Sequence, residues 1–297
     1  MTMTEDAGDM LPERYEPDWE QLAQSKSEAP HMEASFYLLR ETTHWIVLVS
    51  SAHVAPTTER NLAINRGMLV RLAKLLRLMV RELVAEESFQ QMSINRSVLE
   101  TLATLQYLLD DDGTGERYDK YVMSGLIPER ELLTLIQANI QKRNGIVLPI
   151  EVRMQRSIAM TASAAGISDV STIPGRSKIG YPTVEQRIKL LGDRAYSSYR
   201  MGSVEAHGDW NDLYRNHLTC ENGVYEPKFD KYEVRPQAPL VTSILAVGVA
   251  GQSIGKLLSI SDQSLVVELE TPLKDLMERL VRLDEAHEKL LQSSQQA

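Results

Sequence analysis

The sequence predicts an all-α fold, and three observations carry that prediction. Apolar residues recur at three- and four-residue steps along most of the chain, the spacing that lines one face of a helix. Aromatic residues make up only 6% of a chain rich in Leu, Ala and Met, a balance that favours helix. No clear strand alternation and no internal repeat is present.

Taken in order, residues 1–30 hold eight acids and two bases with little apolar periodicity, and predict an acidic, disordered tail. A helical core domain is expected over 31–220. Its first helix runs from His31 to about His53 and is stopped by Pro56. Thr57 or Thr58 then caps a helix reaching about Glu87, with Met68, Leu69, Leu72, Leu75, Leu76, Met79, Val80 and Leu83 on its apolar side. Arg66, Arg71, Lys74, Arg77 and Arg81 fall on the other faces and read as a solvated flank. A third helix covers about Ser93 to Leu109. Asp110, Asp111 and Asp112 before Gly113 read as a solvated turn, because they lack alternating metal-loop spacing.

Shorter helices are expected over 115–124, over 128–143 with Pro128 in the first turn, and from Pro149 to Gly166. Residues 167–182 read as a loop. Thr183 and Gln186 have capping-box spacing for a short helix closed by Gly192, and Asp193 is placed to cap the next one. Residues 221–237 read as an irregular connector and 238–297 as a C-terminal helical pair. Thr271-Pro272 is expected to open the last helix, whose Leu269, Leu273, Leu276, Leu280, Leu283, His287 and Leu290 form a seam for another helix, in this chain or a partner.

Of the formal charge of −9, residues 1–30 carry −6, so the body is nearly balanced and a whole-molecule basic field for nucleic acid is absent. The single cysteine, Cys220, excludes an internal disulfide framework and a thiolate zinc site, and fits a reducing cytoplasm. The N-terminus has no basic and apolar signal pattern. Two uncharged runs, Thr42–Thr58 and Ala238–Gly255, approach membrane-span length, but their polar residues point to buried helices. A soluble protein with no membrane partner is expected.

Candidate chemistry concentrates in residues 196–218. On a helix over 193–207, Tyr196, Arg200, Ser203 and His207 fall at steps of four, three and four, on one line. A neutral imidazole can take the proton of an RNA 2′-hydroxyl, and a guanidinium can stabilise charge on phosphorus, without a metal. Arg200 and His207 are therefore the catalytic candidates, with Tyr196 and Ser203 as further phosphate donors. Equally, Arg200 can pair with Glu100 or Glu205, and His207 can sit at a helix end closed by Gly208. Asp209 is an N-cap candidate for the next helix, where His217 shares a face with Trp210, Leu213 and Tyr214. A metal on His207, Asp209 and His217 is less simple than that cap, so no metal or cofactor is expected. Arg96 and Glu100, four residues apart, suit a helix pair, or a buried pair that orients Arg200.

The pattern Tyr199-Arg200-x-Gly202-Ser203, His207-Gly208-x-Trp210-x-Asp212-Leu213 and His217-Leu218 resembles the signature of a bacterial family of unknown function, the domain-of-unknown-function 5677 family. Asn95-Arg96-Ser97-Val98-Leu99-Glu100, followed by Tyr107-Leu108-Leu109, is similar to that family's earlier helix. The spacing of Arg200 and His207 is also similar to the arginine–histidine motif of HEPN-type helical ribonucleases, although Met201 stands where those have a polar residue. The resemblance implies an up-down HEPN-like bundle, here with an extra C-terminal helical pair.

Two functions follow. The first is a binding module in which an Arg/Ser/His pocket receives a ligand or partner, RNA or a nucleotide among them. The alternative is a metal-independent endoribonuclease of toxin or phage-defence type. A homodimer through the leucine seam or the polar line fits either.

Overall fold

A computed structural model describes residues 12–51, 57, 59–85, 91–229, 234–257 and 263–294, except for the side chains of 263–265. The helices in chain order are α1 (Trp19–Gln24), α2 (Ala29–Ser51), α3 (Arg60–Ala85), α4 (Gln91–Leu109), α5 (Glu116–Gly125), α6 (Ile127–Lys142) and α7 (Pro149–Ala164). There follow α8 (Arg176–Ile179), α9 (Val184–Ile188), α10 (Asp193–His207) and α11 (Trp210–Asp212). A π turn, Leu213–His217, leads into β1 (Leu218–Glu221) and β2 (Val224–Pro227) before α12 (Gln237–Leu257) and α13 (Gln263–Ser294). The protein is all-α, with one small antiparallel hairpin.

The chain forms two compact units. One comprises Met1–Thr58, Leu62–Leu109 and Val184–Ala297; the other comprises Glu59–Asn61 and Asp110–Thr183. In the first of these, helices distant in sequence share one core. In the first unit α12 packs on α2, α4 and α13, while α9 and α10 pack on α4. Leu38, Leu39, Leu99, Leu102, Ala246, Leu276 and Leu280 are fully buried there. Among the described residues, Gln237–Lys256 alone is long and apolar enough to cross a membrane, and 61% of that stretch is buried within the unit. A helix apolar on every side is what a position among three other helices requires.

That core also holds a charged pair. Arg279 of α13 and Glu41 of α2, with side chains 6% and 3% exposed, meet through two bonds of 2.7 Å. Arg279 donates further to Asp275 (2.7 Å) and to the carbonyl of Tyr15, whose N–H donates to Glu41 at 3.1 Å. Arg14 bonds Asp275 at 3.0 Å, and Arg282 lies 4.0 Å from the ring centre of Trp19. Residues 12–30, expected as part of a disordered tail, are therefore ordered against α13 and include α1. Two acids and a peptide group answer Arg279, a long-range arrangement that local periodicity does not report. Residues 1–11 of that expected tail lie outside the described residues.

The last helix begins at Gln263, so Pro272 lies inside it instead of opening it. An interior proline costs a backbone hydrogen bond and crowds the carbonyl four residues earlier, about 3 kcal/mol. Burial of Leu269 and Leu273 on either side offsets that cost. The leucine seam, including His287, is buried within the chain, where α13 meets α12 and α2.

The structure also corrects the expectation of no strands. β1 and β2 pair Leu218 with Pro227 through Glu221 with Val224. Asn222 and Gly223 turn between them with φ of 52° and 81°, the conformation a two-residue hairpin turn requires.

In the second unit Leu126, Ile127, Ile136, Ile158, Ala162, Val170, Ile173 and Ile179 form one core. The segment read as a loop, 167–182, contributes the turn Val170–Thr172 and α8 to it. Asp111 accepts the backbone N–H groups of Gly113, Gly115 and Arg117, so the acidic turn is occupied in holding its own backbone.

Breaking the Glu41–Arg279 pair strands a buried charge. Arg279→Ala is expected to lower unfolding free energy by about 3–5 kcal/mol, read from urea denaturation. A pH effect follows from His31, which is fully buried with its ring 5.5 Å from that of His287. Burial first, and His287 second, push its imidazole below the ordinary value, against smaller opposing effects of the Ser27 backbone and Glu28. A base depressed in this way takes up more protons unfolded than folded. Stability is therefore complete above the ordinary imidazole value of 6.5 and is lost progressively as pH falls below it towards the lower folded-state value. Melting temperature should drop between about pH 7.5 and about pH 5.5. His31→Phe should flatten that slope.

Candidate functional site

The site is built on the contact of α10 with α4. α10 follows Gly192, which stands at the cap position expected for Asp193, and ends at Gly208 in the left-handed conformation. Ala195 and Gly202 are its buried residues. A Cβ on Gly202 would lie 2.5 Å from the carbonyl oxygen of Met92 and 3.0 Å from the Cβ of Arg96. Only glycine lets the two backbones approach this closely. Ile188 and Ala195 complete the contact against Leu99 and Ala103.

Arg96 leaves α4 beside this contact. Its Nε donates to Glu100 Oε1 at 3.0 Å, and its Cζ lies 5.2 Å from the ring centre of Tyr199. Nη2 is 3.5 Å from the Tyr199 hydroxyl, and Nη1 is 3.5 Å from His207 Nε2. Arginine only donates, so a hydrogen bond here requires Nε2 to accept and leaves the imidazole proton on Nδ1. Burial works against the charge on Arg96, but Glu100 and Tyr199 outweigh it and hold the guanidinium above its usual value. Arg96 and Glu100 form the expected helix pair. With side chains 23% and 35% exposed they are not fully buried, and Arg96 meets Tyr199 and His207 instead of Arg200.

At about 100° per residue, Tyr196, Arg200, Ser203 and His207 span only about 60° of α10. They are nonetheless engaged separately. The Tyr196 hydroxyl donates to Glu185 at 2.7 Å, and the Lys189 ammonium lies 5.1 Å from its ring centre. Glu185 is also the main reason the phenol stays protonated to higher pH than usual. Ser203 donates back to the Tyr199 carbonyl at 3.1 Å. Arg200 is exposed and has no hydrogen-bond or ion-pair partner among the described residues. Arg200 and His207 are separated by about 10 Å along the helix axis.

Asp209 precedes α11 as expected, but its side chain makes no capping bond. His217 Nε2 is 3.5 Å from Asp212 Oδ2, within its own turn. Among the described residues, no three His, Cys, Asp or Glu side chains converge as metal ligands.

Residues 67–225 match the model of a family of unknown function, DUF5677. The chain belongs to this family. The DUF5677 region contains α4, α10 and all the polar groups just described, and ends within the hairpin. No curated protein and no solved structure matches the chain.

Sequence reasoning overlooked a polar bridge into the DUF5677 region. Asn95 Nδ2 donates to Ser198 Oγ at 2.8 Å, and Thr242 of α12 donates to Asn95 Oδ1 at 2.6 Å. Asn95 and Thr242 are both buried. A hydroxyl inside the apolar run of α12 was the available signal. Tyr199, which precedes Arg200 in the chain, is a further group that spacing alone does not single out.

The closeness of α10 to α4 has a direct test. Gly202→Ala should lower stability by about 1–3 kcal/mol, measured by denaturation. Gly67→Ala, at an exposed α3 position with nothing within 4 Å of the added carbon, should raise it by about 0.5–1 kcal/mol.

Proposed function

We propose that the chain is a helical binding module whose α4–α10 face, with Arg96, Arg200 and His207, receives the phosphate groups of RNA. One observation carries this reading. Arg96 is held from behind by Glu100 and Tyr199 and reaches His207, while Arg200, close enough to Glu185 to favour its charged form, stands exposed on the same side of α10 with no hydrogen bond or ion pair among the described residues. A guanidinium fork matches phosphate oxygens in pairs, and one already held in position loses less side-chain freedom on binding. The RNA would be gripped at a local patch, since the chain as a whole is acidic. Tyr196 and Ser203 spend their hydrogens on Glu185 and Tyr199, and so act as positioning groups. The reading includes a cytoplasmic setting. It also puts a second copy at the polar face, because the leucine seam is occupied within the chain.

The second reading, a metal-independent endoribonuclease of toxin or phage-defence type, is favoured by one feature. An imidazole nitrogen able to accept a proton lies beside a guanidinium. His207 would then give up its contact with Arg96, take the 2′-hydroxyl proton on Nε2 and return a proton to the leaving 5′-oxygen. Arg96, at 3.5 Å, would share with Arg200 the charge developing on the phosphate. The separation of Arg200 from His207 and the committed hydroxyls favour binding over cleavage.

End-labelled mixed-sequence RNA, incubated with the protein in excess chelator, separates the two. Binding without cleavage is expected, weakened at least about ten-fold by Arg96→Ala combined with Arg200→Ala. Cleavage to cyclic-phosphate ends, abolished by His207→Ala, would replace the first reading with the second. RNA neither bound nor cut would overturn both.

A further inference from the structure

The opposite flank of α10 borders a separate cavity of about 1120 Å³. On the helix, Asp193, Arg194, Ser197, Ser198 and Met201 point to it, on the far side of Gly202 from the Arg200 line. Its other walls come from the start of α4, the π turn before β1, the residue after β2 and the start of α12.

Three features of its lining agree. First, Arg215, Lys228 and Arg235 border it, and none has an ion-pair partner among the described residues. Arg194 is different, since Asp284 takes it at 2.8 Å and Glu288 lies 3.8 Å away. With Glu288 facing Arg194, Asp193 is the acid left against three cations, a positive surface on a chain of net charge −9. Second, Gln91 lines the cavity and is only 1% exposed, yet neither Oε1 nor Nε2 has a hydrogen-bond partner among the described residues. Gln237 Oε1, on the same lining, is also buried without a partner. Each such group costs about 1–3 kcal/mol unless something answers it. Third, Met92, Met201 and Val241 supply an apolar wall.

The backbone delivers the cations to this place. The π turn Leu213–His217 carries Arg215, and such turns re-aim side chains at functional sites. The N–H of Lys228 donates to the His217 carbonyl at 2.9 Å, closing the foot of the hairpin beside that turn.

We infer that this cavity binds a small phosphate-bearing molecule that also presents an amide-like hydrogen-bonding edge, the chemistry of a nucleoside phosphate. Arg215, Lys228 and Arg235 take the phosphate. The Gln91 carboxamide, donor and acceptor together, pairs with the edge of the base, as such groups do with adenine. The apolar wall receives the face of the base. The size suits a ligand of this class. This site is independent of RNA binding at the Arg200 face.

Calorimetric titration of the full chain with AMP, ATP, ribose 5-phosphate and inorganic phosphate tests the assignment. The nucleotides should bind at least about ten-fold more tightly than the other two. Gln91→Leu should remove that preference. Lys228→Gln with Arg235→Gln, both away from the packed core, should weaken every phosphate ligand by about ten-fold or more. Arg200→Ala should leave nucleotide affinity unchanged, whatever it does to RNA. Absence of saturable binding, equal affinity for inorganic phosphate, or nucleotide affinity indifferent to the Lys228 and Arg235 changes would each overturn the proposal. Because the rim changes stand apart from Gln91, a folding defect in Gln91→Leu leaves the test intact.

Discussion

The approach of Gly202 to the carbonyl of Met92 is the constraint on which both polar surfaces depend. With the helices this close, Arg96 on α4 reaches across to Tyr199 and His207 on α10. On the other flank the same closeness sets Gln91, Met92, Ser198 and Met201 around one cavity. A side chain at 202 would separate the backbones by the best part of an ångström, and long polar contacts such as those of 3.5 Å at Arg96 would be the first lost. One hydrogen atom where other residues carry a methyl group thus governs two surfaces of different chemistry.

Rotation of the neighbouring helices is set by polar groups inside the core. Asn95 accepts from Thr242 and donates to Ser198, tying α12, α4 and α10 at one level. An apolar helix such as α12 packs acceptably in several rotations, whereas a buried hydroxyl with one partner accepts few. Glu41 and Arg279 act likewise between α2 and α13, and add the segment at Tyr15.

The all-α class was legible because helix periodicity survives wherever one face is buried, as along α3, α4 and α13. The hairpin was not legible by that route. β1 and β2 are exposed nearly throughout, so no alternation marks them. The Asn222-Gly223 pair was the remaining clue, a turn signal that depends on backbone sterics and not on burial. Pro272 misled for a related reason, since its local preference was overridden by packing on both sides. For the site, sequence spacing aligned four residues on α10 correctly. It was blind to what faced them, and so set Arg96 towards Arg200 where the fold brings it to His207. Contacts between helices about 100 residues apart leave no periodic trace along the chain.

The buried ion pair has a consequence for how the molecule is made. Glu41 precedes its partner by 238 residues. During synthesis α2 therefore leaves the ribosome with a carboxylate that no completed packing can yet accept, and stays hydrated at that end while most of the protein is translated. The same holds for the backbone at Tyr15, which waits for the same guanidinium. Closing so long a loop carries a large entropic cost that early contacts do not repay. The first unit thus reaches its final core only as the last helix appears, and a ribosome stalled before Arg279 would hold a chain with nearly every helix written and its centre unsealed.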